Sequence, residues 1–207
     1  MPIQNVVFDL GRVMIEWEPW SVVEAFTPDN RERERIWETI FAAPIWLDLD
    51  RGDLTEAQAE PELVARSGLD PQRLRSLLQL IKQSMHPVET SHALFREVGA
   101  LGLNRYCLSN MSHDSYASLR RRYDFFEHFH GIMISAEVRI NKPDTAIFRL
   151  LLQRFGLSAA RTLFLDDNED NIAAAQSEGI DGILFDRSDA CFAEIRRRVY
   201  DAHPPST

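Results

Sequence analysis

Four short apolar runs in this chain each lead into polar residues, and that arrangement restricts its fold more than any other feature. Val6-Val7-Phe8 runs into Asp9-Leu10-Gly11, Arg105–Leu108 into Ser109-Asn110, and Thr162–Leu165 into Asp166-Asp167. Gly131–Ser135 is followed, after a loop, by Asn141-Lys142-Pro143. Runs this short and continuous suit strands buried on both faces. Helical patterns lie between and after them: Thr90–Ala100 closing at Gly102, His113–Arg122, Thr145–Phe155 and Glu169–Glu178. A fifth strand, Gly182–Phe185, and a last helix from Asp189 to about Ala202 complete the order. Strands alternating with helices of this length form βαβ units. The expectation is an α/β fold, with a Rossmann-like, parallel, five-stranded sheet and helices on both faces.

From Trp20 to about Pro87 the rhythm is different, with helical patterns and no convincing strand. Arg31–Ile40 carries an apolar stripe of Ile36, Trp37 and Ile40, which assigns Trp37 to the core. Thr55-Glu56-Ala57-Gln58 has capping-box spacing, and Asp70-Pro71 is an N-cap with proline at the first helical position, opening a helix to about Ser84. Pro61 either breaks a helix or starts a turn of one. The predicted organisation is a core of residues 1–15 and 88–207 with a helical insertion, 16–87, after the first strand. The tail His203–Thr207 is expected to fray.

Charge and composition exclude several classes of function. A net charge of −9 argues against a nucleic-acid partner, because phosphate-backbone affinity needs Lys and Arg to displace counterions. No apolar run approaches the ~20 residues of a membrane span. The first residues also lack a basic-then-apolar leader. No membrane association and a cytoplasmic location are therefore expected. The clusters Arg120–Arg122 and Arg196–Arg198 read as solvated helix ends, and Cys107 and Cys191, without metal-type spacing, as reduced structural residues. The histidines read as surface or packing residues, with His113, just beyond Ser109-Asn110, the one to watch.

In a parallel sheet all the strand carboxyl ends face one edge. Asp9, Ser109, Lys142 and Asp166-Asp167 can therefore converge there as a carboxylate nucleophile, a hydroxyl donor, a fixed cation and an acidic pair. Singly, each has a simpler role as a cap or a turn residue.

With Phe8-Asp9-Leu10-Gly11, Leu108-Ser109-Asn110, Asn141-Lys142-Pro143-Asp144 and Phe164-Leu165-Asp166-Asp167-Asn168, nearly the whole chain resembles the haloacid dehalogenase (HAD)-like hydrolase superfamily. The insertion resembles the helical C1 cap of its subfamily IA, and Gly11 with Asp166-Asp167-Asn168 resembles the branch of bacterial α-D-glucose-1-phosphate phosphatases. The resemblance implies that Asp9 attacks phosphorus and forms an aspartyl-phosphate that water hydrolyses. It implies Mg2+ held by Asp9, the Gly11 carbonyl and Asp167, with Asp166 as a direct or water-mediated ligand and Asn171 on a metal-bound water. Lys142 adds a point charge, and Ser109 and the Asn110 amide donate to the phosphoryl oxygens.

The implied substrate is a small phosphorylated metabolite, a sugar phosphate for this branch. Trp17 and Trp46 are candidates for a wall that stacks on it, while Asp48, Asp50 and Arg51 before Gly52 form a polar turn facing either the sugar or water. Monomer and homodimer are both compatible with the sequence. One departure matters. Most phosphatases of the superfamily carry a second Asp two residues after the nucleophile, as the proton donor to the leaving group; here that position is Gly11. Glu16 is the nearest other carboxylate along the chain, and a metal-bound water or a leaving group of low pKa would lessen the need for a donor. Two rival functions follow: a metal-free 2-haloacid dehalogenase using the same Asp9, and a catalytically weak binding or regulatory module.

Overall fold

The structure, a computed structural model, describes residues 2–200. The expected fraying of His203–Thr207 falls outside the described residues. Five strands, β1 (Asn5–Phe8), β2 (Asn104–Ser109), β3 (Gly131–Ile134), β4 (Thr162–Asp166) and β5 (Asp181–Leu184), form one sheet in the order β3-β2-β1-β4-β5, and every pairing is parallel. β1 is central, and the register sets Phe8 beside Cys107 of β2 and Leu165 of β4. The residues just beyond these three positions therefore emerge side by side at the carboxyl edge. The chain leaves β1 toward β2 on one side and β4 on the other, which is where open α/β sheets form a crevice.

Alternation along the strands sorts the core into two layers. Val7, Tyr106, Leu108, Met133 and Phe164 face α9 (Thr145–Phe155) and α10 (Glu169–Ser177). Val6, Phe8, Cys107, Leu163 and Leu165 face the side covered by α6 (Glu89–Ala100) and α11 (Asp189–Tyr200). The free thiols of Cys107 and Cys191 are buried in this second layer. The same apolar cluster continues into the insertion through residues such as Val23, Ile40, Leu63 and Leu77, so insertion and sheet share one core.

Between β1 and α6 the chain forms α1 (Pro19–Phe26), α2 (Asn30–Ile36), a π-helical turn (Trp37–Phe41), α3 (Pro44–Arg51), α4 (Glu56–Ser67) and α5 (Pro71–Ser84). The end signals read from the sequence operate. Asp70 Oδ1 accepts from the Gln72 and Arg73 amides at 2.9 Å, and Thr55 and Gln58 complete a capping box. Leu74, Leu77, Leu78 and Ile81 of α5 are buried, each worth about 1.5–3 kcal/mol of transfer free energy. Pro61 does neither of the things expected of it, because α4 runs through it. Beyond β3 the chain makes a single helical turn, α8 (Ser135–Val138), which is too short to leave a periodic trace in the sequence. α7 (His113–Arg122) is capped by Ser112 and α10 by Asn168, so neither Ser109 nor Asp167 is spent as a helix cap.

The arginine clusters are held by partners at the helix ends. Arg196 pairs with Glu97 at 3.0 Å and Arg122 donates to the Gln83 carbonyl at 3.1 Å. His92 is buried, with Nε2 3.0 Å from the Met14 carbonyl oxygen and its ring edge-on to Phe125, as suits a packing histidine. His113 is exposed at the start of α7 and does not line the cavity described below.

Candidate active site

Asp9 leaves the end of β1 with its amide donating to the Leu165 carbonyl at 2.9 Å, so the backbone still follows the sheet where the carboxylate begins. The next residues turn sharply. The amides of Val13, Met14 and Ile15 all point at the Leu10 carbonyl, and their three side chains are fully buried. This turn anchors Gly11 and Arg12 at the rim of a cavity of about 460 Å³.

Lys142 is the electrostatic centre of the cavity floor. Its Nζ lies 2.9 Å from Asp9 Oδ1 and 2.6 Å from Asp166 Oδ2, and donates to the Leu108 carbonyl at 3.1 Å. All three charged side chains are buried. Burial alone would neutralise the lysine, but the two acids outweigh it and raise its pKa, keeping it an ammonium. Asn110 fixes the backbone of Lys142: its Oδ1 accepts from the Lys142 amide at 2.8 Å and its Nδ2 donates to the Lys142 carbonyl at 2.9 Å. The Asn110 side chain is therefore a brace, leaving its backbone amide as the group available to a substrate.

Asp166 is saturated with donors. Asn171 Nδ2 reaches both of its oxygens at 3.0 and 3.1 Å, the Asn168 amide reaches Oδ1 at 2.9 Å, and Lys142 takes Oδ2. This carboxylate orients Lys142, and Asn171 in turn orients the carboxylate. Asp167 lines the cavity, and its nearest cation is Arg12, at 3.8 Å.

Asp9 is pushed up to about 6, chiefly by burial, with Lys142 opposing and Asp166 adding to the rise. The Ser109 hydroxyl also favours its charged form. Although Lys142 is close, Asp9 Oδ1 is a buried oxygen without a directed hydrogen bond. One carboxylate oxygen from each of Asp9, Asp166 and Asp167 lies within 4.8 Å of the others. A hard divalent cation fits this set: all-oxygen donors, a buried carboxylate oxygen whose only close partner is an ammonium, and more negative charge than Lys142 offsets.

The roof comes from the insertion. Trp17, Pro19, Trp37, Trp46 and Asp50 line the cavity opposite the floor. The rings form a chain: Trp17 to Trp46 at 6.0 Å between centroids, Trp46 to Phe41 at 4.8 Å, Phe41 to Trp37 at 5.8 Å and Trp37 to Trp20 at 5.5 Å. Trp17 and Trp46 are thus at the cavity, as expected, while Trp37 is half-buried there instead of in the core. Ile36 and Ile40, four apart, take the buried direction, and Trp37, about 100° round the helix from Ile36, faces sideways.

The polar turn read at residues 48–51 is the last turn of α3, and its members divide. Arg51 pairs with Asp48 and with Asp53, at 2.5 Å for the latter, on the surface; Asp50 turns into the cavity. Glu16 does not reach the site, because Arg187 holds both of its oxygens at 3.1 and 2.9 Å. Sequence reasoning gave Asp50 no role of its own and missed Ser135, whose hydroxyl accepts from the Met111 amide at 2.9 Å and donates to the Asp50 carbonyl.

Residues 4–179 match the haloacid dehalogenase-like hydrolase family. The chain belongs to it. Among relatives, it is 26% identical over 193 residues to a sesquiterpene phosphatase, AstK, of Aspergillus oryzae, covering 93% of this chain and 95% of that one. It is 27% identical over 206 residues to (S)-2-haloacid dehalogenase H-109 of Pseudomonas putida, covering 94% and 90%. In fold it resembles a HAD family enzyme of Bacteroides thetaiotaomicron, with a TM-score of 0.76 at 19% identity over 94% of this chain and 99% of that one. The complex of that enzyme with magnesium and inorganic phosphate gives 0.73 at 21% identity, covering 87% and 93%. This HAD-like chain is thus a hydrolase with both phosphatases and dehalogenases among its relatives. Among the described residues, no helix is long and apolar enough to cross a membrane.

Proposed function

We propose that this HAD-like hydrolase is a magnesium-dependent phosphatase that cleaves small phosphate monoesters through an aspartyl-phosphate on Asp9. The observation that carries the reading is the buried, hydrogen-bond-poor Oδ1 of Asp9, set among Lys142, Asp166 and Asp167. Asp9 and Asp167, with the Gly11 carbonyl, would hold Mg2+, and Asp166 would act behind them through Lys142. The ion supplies positive charge that lets a phosphate dianion approach a carboxylate. Asp9 attacks phosphorus, while the Lys142 ammonium and the Ser109 hydroxyl neutralise charge on the phosphoryl oxygens. The buried floor holds these groups in place before the ester arrives, so little reorganisation accompanies the reaction.

The insertion, residues 16–87, acts in this reading as a cap that closes the site over the substrate. For the body of that substrate, the roof is the guide. It presents three indoles and one polar group, Asp50, with Arg12 and Ser115 lining the cavity from outside the insertion. A sugar phosphate, as in the glucose-1-phosphate branch, would stack one face on Trp17 and Trp46 but leave most of its hydroxyls unpartnered. An ester with a flat or largely apolar body fits the wall better, and the likeness to a sesquiterpene phosphatase supports that preference.

The likeness to a 2-haloacid dehalogenase supports a second reading, in which Asp9 attacks carbon without metal. Against it stands the acidic pair, which would repel a haloacid carboxylate unless a cation neutralises it. The deciding experiment incubates the chain with sugar phosphates, prenyl phosphates, an aryl phosphate and 2-chloropropionate, with Mg2+ or with EDTA, and with Asp9→Asn as control. Phosphate release that needs Mg2+ and Asp9 is the expected result. Halide release that survives EDTA would transfer the chain to the dehalogenases.

A further inference from the structure

Gly11 leaves the core without a carboxyl to protonate the leaving oxygen, and its surroundings fill the gap. A Cβ built on Gly11 would meet Trp17 Cβ, Cγ and Cδ1 at 3.7–3.9 Å, so the direction a side chain would take from position 11 leads to that indole. The carboxylates lining the cavity are Asp9, Asp167 and Asp50. Asp9 is the nucleophile and Asp167 belongs to the acidic cluster. Asp50 alone comes from the roof.

Asp50 is fixed there by contacts between α3 and the sheet edge. Its carbonyl accepts from the Ser135 hydroxyl, and three residues earlier the Leu47 carbonyl accepts from Asn141 Nδ2 at 3.0 Å. Two residues later, Gly52 adopts φ +75°, and a Cβ on it would fall 2.4 Å from the Ala136 carbonyl oxygen. The C-terminal turn of α3 is therefore pressed onto α8. The Asp50 carboxyl feels the Ser112 amide, in the loop that begins with Ser109 and Asn110. Its neighbour Arg51 is occupied by Asp48 and Asp53, and among the described residues no ion pair engages Asp50.

We propose that Asp50 is the catalytic proton donor and acceptor of this enzyme, supplied by the insertion in place of the carboxyl that position 11 lacks. The assignment rests on the phosphatase reading. In the first half-reaction the Asp9 oxygen bonds to phosphorus and the ester P–O bond breaks. The electron pair of that bond stays on the leaving oxygen, which takes the proton of the Asp50 carboxyl. In the second, the Asp50 carboxylate takes a proton from the water that attacks phosphorus. The electron pair of the Asp9–phosphorus bond returns to Asp9, and inorganic phosphate departs. Burial, reinforced by the charge of Asp9 and opposed by the Ser112 amide, pushes Asp50 up to about 7, where a carboxyl can give and take a proton near neutral pH.

The test compares Asp50→Asn and Asp50→Glu with wild type in Mg2+, on an alkyl phosphate and on p-nitrophenyl phosphate, whose leaving group needs no proton. Asp50→Asn should lower kcat/KM for the alkyl ester by about 10²–10⁴-fold, leave kcat/KM for the aryl ester within about threefold, and release nitrophenolate in a burst as the phosphoenzyme accumulates. Asp50→Glu should retain most of the alkyl activity, which also covers the case of an Asn variant that folds poorly. Equal losses on both esters, or no loss on either, would overturn the role of Asp50 while leaving the phosphatase reading intact. A wild-type protein inert toward both esters would overturn the two together.

Discussion

On the floor of the cavity two buried carboxylates share one buried lysine; on the roof, aromatic rings pack against one another and a single carboxyl looks in. Asp9 and Asp166 are buried at the carboxyl ends of adjacent strands, where sheet register dictates their spacing, and buried Lys142 reaches both from the loop after α8. The roof residues come from the turn after β1, the start of α1, the π-helical turn and α3, and neighbouring rings lie 4.8–6.0 Å apart. A constellation held by strand register suits one chemistry on one common group. Walls made of indole faces can change their substrate by changing a ring, without disturbing that chemistry. In the phosphatase reading, the contrast would separate the phosphoryl end of the site from the end that chooses the ester.

Substitutions can break this contrast, beginning with the floor. Lys142→Ala strands two buried carboxylates and should cost about 3–5 kcal/mol of stability, read from urea unfolding, besides abolishing phosphate release. A loss below about 1 kcal/mol would mean that the floor is not the rigid half. Gly52→Ala attacks the junction between the halves. Its left-handed φ and the clash with Ala136 should cost about 2 kcal/mol, and turnover should fall with it because Asp50 shifts. If the melting temperature drops but kcat holds, the roof does not take its position from this contact.

Trp46→Ala sharpens the division of labour. It should raise KM about tenfold at nearly unchanged kcat, the mark of lost uniform binding. An equal fall in kcat would give the indole a part in the chemistry. The smallest effect concerns the insertion alone. Glu32 bonds Arg73 across α2 and α5 at 2.8 and 2.9 Å, and this pair, helped by Thr27, holds its carboxyl at about 2. A depressed carboxyl stabilises above its unfolded pKa near 4.5 and loses that contribution as pH falls toward 2. With Arg73 44% exposed, Arg73→Ala should cost only about 1 kcal/mol at pH 7, and the gap between mutant and wild type should narrow as pH falls from about 4.5 to about 2.

The floor was legible in the sequence and the roof largely was not, for a physical reason. A strand buried on both faces admits a polar residue only where it ends, so Asp9, Ser109 and Asp166 announced their positions by interrupting apolar runs. Lys142 came with them as the cation such acids need. On a helix, by contrast, polar residues are ordinary. Nothing in Asp48-Leu49-Asp50-Arg51 says which acid turns inward; that depends on how α3 seats against α8, a four-residue helix that leaves no pattern of its own. Trp37 was misread because its helix is amphipathic in fact, with Ile36 and Ile40 buried as the stripe requires. Its own direction lies between the stripe and solvent, and the cavity occupies that sector.

The contact between Gly11 and Trp17 carries a last consequence, for the order in which such a site can change. Gly11 is not one of the positions with a left-handed backbone, and an alanine there would meet Trp17 at ordinary van der Waals distances. A longer acidic side chain would drive into the indole. Gly11→Asp alone should therefore be harmful, and Trp17→Ala alone should only enlarge the cavity. The two together would make room for a carboxyl beside Asp9. The effect of Gly11→Asp would thus depend on whether Trp17 is present, so a move between the glycine form of this site and one with a carboxyl at position 11 is favoured to pass through the loss of the tryptophan first.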